Sequence, residues 1–270
     1  MTAATDSPYS SPLPAALFAQ FRADRAALPI TGFELDAEPR FSRHLPRLPG
    51  AEALICFTRI SDEQALVAEI ATQQRFFTER QQRLEWKVYE LDEPPTLRQR
   101  LAEAGFVAGE VEAFMLYPLE RPWQPRRQMD GSRLAVRRIS DDAGLRALIA
   151  LQEQVWQIEL GWLYQQMSQT LARQPQCLSV FGAYAGRQLV GTGWIDFPAG
   201  SAFAELHGGS VLPDWRGQGV YSALLAPRLA EARERGLRWL GVDAAPMSRP
   251  ILEGLGFSCV CLSWPMRWQP

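Results

Sequence analysis

The sequence predicts an α/β fold, more closely an α+β mixed sheet, built as two domains in tandem. Each domain is expected to be a central, mostly antiparallel or mixed sheet flanked by helices. At 270 residues the chain is long for one compact domain. The predicted element order of the second half mixes hairpins with crossover connections, which favours a mixed sheet over a fully parallel one. Finally, "LRQRLAEAGFV" and "RPILEGLGFSCV" are similar segments in the two halves, which indicates duplication.

Composition narrows the class of protein before any motif is considered. A hydrophobic fraction of 47% supports a real core, and a formal net charge of -2 with a pI near 5.8 leaves no basic footprint for nucleic acid. The four cysteines are scattered and there are two histidines, so no metal site is expected. No window approaches the roughly 18 apolar residues of a membrane span. These features predict a soluble cytoplasmic protein that contains buried free thiols.

The first half alternates strand and helix signals. Residues 1–16 read as a flexible polar leader without a basic region, and 17–120 as the first domain. Helical spacing of apolar residues follows Ser61 and Asp62, either of which could cap the helix. In chain order the predicted elements are a strand at 53–60, a helix at 62–81, a strand at 84–91, a helix at 94–105 and a strand at 110–119.

A linker is predicted at 121–132, where prolines, a glycine and arginines cluster without periodicity. The second domain is then 133–270. Its predicted order is strand, two helices beginning at Asp141 and Trp162, a hairpin that turns at 185–187, a third strand, a helix from Val220, a strand, a short helix at 248–257 and a C-terminal strand.

The most informative stretch is "VLPDWRGQGVYSALL", where a strand passes through a glycine-containing turn into a helix. A Walker A loop would need Gly-Lys-Ser/Thr, which is absent. A dinucleotide fingerprint needs three glycines directly after the strand; "GQGVYS" supplies two, although Asp243 lies near the expected acidic position. The third interpretation is a nest of backbone N–H groups at a helix N-terminus, where Gly217 and Gly219 permit the backbone angles and Arg216 adds charge.

Together with "SRPILEGLGF", this stretch resembles the GNAT superfamily of acyl-CoA-dependent N-acyltransferases. The family's cofactor loop follows the pattern Q/R-x-x-G-x-G/A, which Arg216, Gly219 and the apolar Val220 fit. The family's last helix typically ends in Gly-Phe, as Gly256-Phe257 does here. The resemblance covers the second half and implies two GNAT-like domains in tandem, the first a degenerate copy without the glycine loop.

The resemblance implies acetyl-CoA as cofactor and assigns residues to it. The strand ending at Val211 and Leu212 would splay from its neighbour and bind the pantetheine arm through backbone groups. Ser248 would reach the cofactor or cap the last helix, capping being the preferred interpretation. The pyrophosphate would be held by backbone N–H groups of the loop, namely Arg216, Gly217, Gln218, Gly219, Val220 and Tyr221.

Acyl transfer to an amine needs a base, a polarised thioester carbonyl and an acid for the thiolate. Glu205 and His207, two apart on one strand, are the candidate bases, with solvated or packing roles as the alternatives. Many members of the family carry a Tyr that acts as the general acid, but Leu252 occupies that position here. Tyr221 is therefore the candidate acid, and its alternative role is to anchor the helix to the core. The amide of Val211 or Leu212 would polarise the carbonyl.

The second domain is expected to bind the cofactor, and the first domain to complete the acceptor cleft or a dimer interface. Asp196 is a candidate reader of that amine. The aromatic residues Trp156, Trp162 and Tyr164 lie where the family builds its acceptor pocket, although a core role is the competing interpretation.

The predicted function is therefore transfer of an acetyl group from acetyl-CoA to an amine of a small molecule or peptide. Neither nucleic acid nor membrane is an expected partner, and a homodimer is compatible with the resemblance. The alternatives are a CoA-binding regulatory protein without turnover and a structural or dimerisation protein without a cofactor.

Overall fold

The computed structural model describes residues 15–124 and 133–270. These residues form two compact units. The first comprises the chain up to Pro46, Glu52–Leu116 and Asp243–Pro270; the second comprises Arg47–Ala51 and Tyr117–Val242. Most of the predicted leader and residues 125–132 of the predicted linker lie outside the described residues.

The first unit contains a mixed sheet whose strands follow the order β1-β2-β3-β4-β12-β6, with β5 also paired to β12. Helices α1, α2, α3 and α7 accompany this sheet. The bounds are α1 Ala15–Ala27, β1 Phe33–Glu38, β2 Phe41–Pro46, β3 Ala53–Thr58, α2 Glu63–Glu79, β4 Leu84–Tyr89, α3 Leu97–Glu103, β5 Val107–Ala108, β6 Glu112–Pro118, α7 Arg249–Gly254 and β12 Ser258–Trp268. Strand β6 continues two residues beyond the boundary of this unit at Leu116.

Helix α2 forms for the reasons that its sequence indicates. Asp62 is its N-cap, and the Asp62 side chain accepts a 2.7 Å hydrogen bond from the amide of Ala65. The helical spacing buries Leu66, Ile70 and Phe77 in a core cluster with β3 and β4. The predicted cap and apolar face are therefore confirmed.

The two Gly-Phe segments end their helices in the same way. After α3, the amide of Phe106 donates to the carbonyl of Leu101 at 3.0 Å. After α7, the amide of Phe257 donates to the carbonyl of Leu252 at 3.0 Å. The similarity that the sequence indicated is therefore a shared helix C-terminal hydrogen-bond pattern, which satisfies carbonyls left over by the helix.

The C-terminal strand β12 belongs to the first unit. It pairs antiparallel with β4, from Ser263↔Tyr89 to Trp268↔Leu84, and on its other side with β6. The sequence had assigned residues 243–270 to the second domain. The units instead group these residues with the first, because β12 completes the hydrogen bonding of β4 and buries Met266 in that unit's core.

The second unit contains a mixed sheet in the order β11-β10-β9-β8-β7. The pairs β7–β8, β8–β9 and β9–β10 are antiparallel, whereas the pair β10–β11 is parallel. The bounds are β7 Ala135–Ile139, α4 Asp142–Trp156, α5 Gly161–Arg173, β8 Leu178–Ala185, β9 Gln188–Asp196, β10 Phe203–Val211, α6 Val220–Glu234 and β11 Trp239–Ala244. The predicted order of elements in the second half of the chain is confirmed. The helix predicted to begin at Asp141 is α4, whose N-cap is Asp141. The last two residues of β11 belong to the first unit.

Helices cover both faces of this second sheet. Residues of α4, α5 and β8 share one core cluster, against which Trp194 of β9 packs. The neighbouring position Gly193 faces α6, where an added Cβ would meet Arg228. Since successive residues of a strand point to opposite faces, α4 and α5 lie on one face and α6 on the other. None of the helices within 15–124 and 133–270 is long and apolar enough to cross a membrane.

Candidate active site

The parallel pair β10–β11 separates partway along its length. The two strands pair at Phe203↔Trp239, Ala204↔Leu240 and Glu205↔Gly241, and β10 then continues to Val211 without a partner from β11. Over this later stretch β10 remains paired on its other side with β9. The edge of β10 that faces away from β9 is therefore open beyond Glu205, as the resemblance implied.

A buried polar network holds a bulge in the open part of β10. The register between β9 and β10 shifts between His207 and Ser210, and Gly208 has a φ of 57°. The side chain of Gln152 on α4 donates to the Gly208 carbonyl at 2.6 Å and to Thr192 at 2.7 Å. Ser210 donates to the Gln152 carbonyl oxygen at 3.0 Å. Because the side chains of Gln152, Thr192 and Ser210 are buried and bonded to one another, this network holds the bulge in place.

The amides of Val211 and Leu212 point in different directions. The Leu212 amide donates to the carbonyl of Val190 at 2.9 Å, so it is used within the β9–β10 ladder. Antiparallel pairs alternate, and the preceding pair Val211↔Gly191 therefore turns its backbone groups away from β9. The Val211 carbonyl accepts a 3.1 Å bond from Nε of Arg216. Of the two candidate amides, Val211 is the one that faces the open edge.

The glycine loop leads from β10 into α6. Gly217 and Gly219 have φ values of 71° and 88°, a region that other residues adopt at a cost, and Gly219 is the N-cap of α6. An added Cβ on Gly217 would meet no atom within 4 Å, so the space beside the loop is open. The Gln218 side chain donates to the Asp214 carbonyl at 2.7 Å, which ties the loop to the turn before it.

Backbone donors at the start of α6 are available for an anion. The amide of Ala223 donates to the Gly219 carbonyl at 3.0 Å, and the amides of Val220, Tyr221 and Ser222 come before this first helical bond. Such first-turn amides have no acceptor within a helix and carry the positive end of its dipole. The predicted nest needs one correction: the Arg216 amide is already used, donating to the Pro213 carbonyl at 3.2 Å. A short 3-10 turn at Pro213–Trp215, which ends at Arg216, uses that donor.

The two candidate bases and Asp196 lie together on the α4–α5 face of the sheet. Nε2 of His207 is 3.5 Å from Oδ2 of Asp196 and 3.6 Å from Oε2 of Glu205. The His207 ring also stacks on Trp194, with centroids 6.2 Å apart. His207 and Glu205 are 44% and 45% exposed, so both side chains are accessible to a substrate on this face. The structure thus places Asp196, which the sequence analysis treated separately, beside the predicted pair Glu205 and His207.

Tyr221 lies on the opposite face, beneath the bulge. An added Cβ on Gly209 would be 2.5 Å from Cε2 of Tyr221, so the ring packs directly on the backbone of β10. Burial raises the pKa of the Tyr221 phenol, and the nearby guanidinium of Arg228 acts in the opposite direction. The phenol therefore remains protonated at neutral pH, as a proton donor must.

The remaining predicted residues are dispersed. Ser248 belongs to the first unit; it is the N-cap residue of α7 but makes no side-chain capping bond, so the predicted cap is wrong. Its backbone is already helical there, with φ -89° and ψ -29°, which is not the extended conformation of a capping serine. Leu252 is buried in the first unit.

The three aromatic residues of the α4–α5 region divide into two groups. Trp162 and Tyr164 pack against the core cluster of α4, α5 and β8, as their alternative interpretation held. Trp156 is 46% exposed and donates from Nε1 to Ser210 at 2.9 Å. Trp156 is therefore the aromatic residue of this set that combines exposure with a link to the bulge.

Sequence reasoning missed Gln152 and Arg228. Both are polar residues at helix positions where the spacing predicts buried apolar side chains. A polar residue at a predicted core position was the signal that could have identified them. Their partners are backbone carbonyls of β9, β10 and α6, which no spacing rule identifies.

Residues 143–257 match the model of the acetyltransferase (GNAT) family. No curated protein sequence matches the chain.

Several solved structures are similar over most of the chain. A GCN5-related N-acetyltransferase from Kribbella flavida has a TM-score of 0.71 at 13% identity, covering 97% of both chains. A GCN5-related N-acetyltransferase from Sphaerobacter thermophilus has a TM-score of 0.64 at 15% identity, covering 87% of this chain and 78% of its own. A tandem GNAT protein from the clavulanic acid biosynthesis pathway has a TM-score of 0.58 at 15% identity, covering 85% and 78%. The chain therefore shares the fold of these proteins, and its residues 143–257 contain a region that matches the GNAT acetyltransferase family.

Proposed function

We propose that the protein is an N-acyltransferase that moves an acetyl group from acetyl-CoA directly to an amine of a small molecule or peptide. The main support is the opening of β10 from β11 beyond Glu205, followed at once by the glycine loop and the free first-turn amides of α6. The match of residues 143–257 to the GNAT family supports the same reaction class.

The residues present fit an acyl-CoA thioester as substrate. The open edge of β10, with the amide of Val211 facing it, suits an extended amide-containing arm such as pantetheine. The amides of Val220 and Tyr221, with the open space beside Gly217, suit a pyrophosphate. The thioester supplies an activated acyl group and a thiolate leaving group.

We assign a base and an acid to the second unit, on opposite faces of the bulge. We assign His207 as the base, oriented by Asp196 and Glu205, which takes a proton from the acceptor amine. The amine nitrogen then forms a bond to the acyl carbon and the carbon–sulfur bond breaks. Tyr221 gives its phenolic proton to the departing sulfur. Because the strand separates the two groups, base and acid do not exchange the proton with each other.

We further propose that the first unit is a degenerate second copy of the fold. Its parallel pair β3–β4 also separates after three residue pairs, from Ala53↔Leu84 to Ile55↔Trp86. No glycine loop follows β3; the chain enters α2 through the Asp62 cap instead. One acyl-CoA bound per chain is the expectation.

Turnover assays distinguish the enzyme from a CoA-binding protein without activity. Acetyl-CoA is incubated with a panel of amines, released thiol is followed colorimetrically, and acetylated product is identified by mass spectrometry. Blanks without amine correct for the chain's own partly exposed Cys56 and Cys177. The proposed function predicts amine-dependent thiol release. Tight acetyl-CoA binding with intact acetyl-CoA for every amine would favour the binding protein.

A further inference from the structure

Arg228 is a buried charge without a counter-ion. Its side chain is in the second unit, on α6, and is 0% exposed. No carboxylate of the described ranges forms an ion pair with it. Nε donates to the Leu224 carbonyl at 3.0 Å, Nη1 makes a long 3.4 Å bond to the Trp194 carbonyl, and Nη2 has no partner in the described part of the chain. Burying a guanidinium with so little compensation opposes folding.

The sheet makes specific room for this side chain. An added Cβ on Gly193 would lie 2.7 Å from Nη1 and 2.9 Å from Cζ of Arg228, so the guanidinium packs on a strand position that has no side chain. The missing side chain at Gly193 leaves the space that the buried guanidinium occupies. The arrangement therefore points to a role other than stability.

Tyr221 is the titratable group that faces this cation. The guanidinium carbon lies 5.8 Å from the centroid of the Tyr221 ring. Arg228 lowers the pKa of the phenol and so offsets part of the increase that burial causes. Burial lowers the pKa of Arg228 itself.

The other charged groups near α6 are engaged elsewhere. Glu231, farther along the helix, bonds to Arg138 of β7, Ser179 of β8 and Arg235. The charged groups of β9 and β10 lie on the α4–α5 face, namely Asp196, Glu205 and His207. Arg228 is thus the charge that governs the phenol.

We propose that Arg228 is a positioning residue that holds the phenol of Tyr221 beneath the β10 bulge and stabilises its phenolate, which makes Tyr221 the proton donor to the departing thiolate. The inference rests on the proposed function. In the step, the O–H bond of Tyr221 breaks and an S–H bond forms on the thiol. The phenolate regains a proton from solvent after the products leave, and no redox partner is needed.

The test measures Tyr221 directly as well as turnover. Tyrosine labelled with ¹³C at Cζ is followed by NMR against pH, and the signal of Tyr221 among the six tyrosines is assigned by its loss in Tyr221→Phe. The variants are Arg228→Met and Arg228→Lys, which keeps the charge. The matched control is Arg233→Met, on the same helix, where the arginine bonds to the carbonyls of Leu119 and Arg121.

Arg228→Met is expected to raise the pKa of Tyr221, to leave the unfolding temperature unchanged or higher, and to lower kcat at least about tenfold. The alkaline limb of the pH–rate profile should move to higher pH, because the acid stays protonated longer. Arg228→Lys should retain part of the effect, and Arg233→Met should leave the Tyr221 pKa and kcat unchanged.

An unchanged Tyr221 pKa in Arg228→Met would overturn the inference while leaving the proposed function intact. The inference would also be overturned if Arg228→Met lost activity because it unfolds. In that case its unfolding temperature would fall and its pH–rate profile would not shift. A third outcome is that Arg228→Met shifts the pKa of Tyr221, while the wild type binds acetyl-CoA but acetylates no amine. That outcome would overturn the proposed function, and the proton-donor role with it.

Discussion

Single residues on β10 divide the proposed chemistry between the two faces of one strand. His207 and its two carboxylates face α4 and α5, whereas Gly209 faces the ring of Tyr221 below α6. The bulge produces this division: in a regular strand His207 and Gly209 would share a face, and the register shift between His207 and Ser210 places them on opposite faces. The acceptor amine is therefore expected to approach from the α4–α5 face.

His207→Ala should lower kcat for acetyl transfer by about 10²-fold or more, since general base catalysis typically contributes that much. Binding of acetyl-CoA should remain, because no backbone donor of the loop is changed. Steady-state kinetics and calorimetry measure the two effects. Glu205→Gln should cost less; a larger loss in Glu205→Gln than in His207→Ala would transfer the role of base to Glu205.

Gly208→Ala adds one methyl group at the bulge and tests how closely Trp194 packs there. The new Cβ would lie 1.6 Å from the Trp194 ring and would sit on a backbone with φ 57°. Steric overlap and backbone strain together should lower the free energy of unfolding by about 3 kcal/mol or more. Gly186→Ala is the matched control, with φ 60° and no atom near the new Cβ, and should cost about 1 kcal/mol. Equal midpoints of urea unfolding for the two variants would contradict the packing described for Trp194.

Among the elements, α4 is the one that fixes the open strand. Its residue Gln152 bonds to both β9 and β10 from within the core. The bulge is thus held from the face opposite α6.

Gln152→Leu should lower the free energy of unfolding by about 2–4 kcal/mol, because it removes the hydrogen bonds that Gln152 makes to the Gly208 carbonyl, Thr192 and Ser210. Gln154→Leu, exposed on the same helix, is the control and should change stability by less than about 0.5 kcal/mol. Denaturant unfolding compares the two. A neutral Gln152→Leu would show that water or repacking replaces the network.

The elements also show what a sequence can predict. Periodicity and caps predicted α2, α4 and the β8–β9 hairpin because those signals are local. The hairpin of β1 and β2 was missed: "FELDAEPRFSRHLP" places buried Ser42 and His44 where a strand pattern requires apolar residues. The glycine loop was located correctly on the open strand, whereas the consumption of the Arg216 amide depends on a turn geometry that residue types do not determine.

At the scale of the molecule, the C-terminal strand is a structural part of the first unit. Strand β12 lies between β4 and β6, strands more than a hundred residues earlier in the sequence. Such long-range pairing leaves no local signal. The sequence therefore predicts residues 243–270 as part of the second domain, whereas the compact units group them with the first.

Deleting residues 258–270 should therefore destabilise the first unit selectively. Amides of β4 and β6 should lose protection from hydrogen exchange, because each loses one ladder of hydrogen bonds, while β8 and β9 retain theirs. Deleting only 269–270, beyond the last paired residue, is the control. Full protection of β4 after the larger deletion would contradict the described pairing.

We propose that the glycine loop after the open strand β10 binds the pyrophosphate of acetyl-CoA. Calorimetric titration of the protein with acetyl-CoA tests this binding most directly. The informative pair is Gly217→Asn and Gly217→Asp, which place the same shape on the left-handed backbone and differ in charge. Gly186→Asp, on the β8–β9 turn, is the control for a general effect of added charge. We expect the wild type and Gly186→Asp to bind acetyl-CoA with micromolar affinity, about -8 kcal/mol. Gly217→Asn should bind more weakly than the wild type. Gly217→Asp should bind at least about tenfold more weakly than Gly217→Asn. Equal affinities for the Asn and Asp variants, or no binding to the wild type, would contradict this proposal.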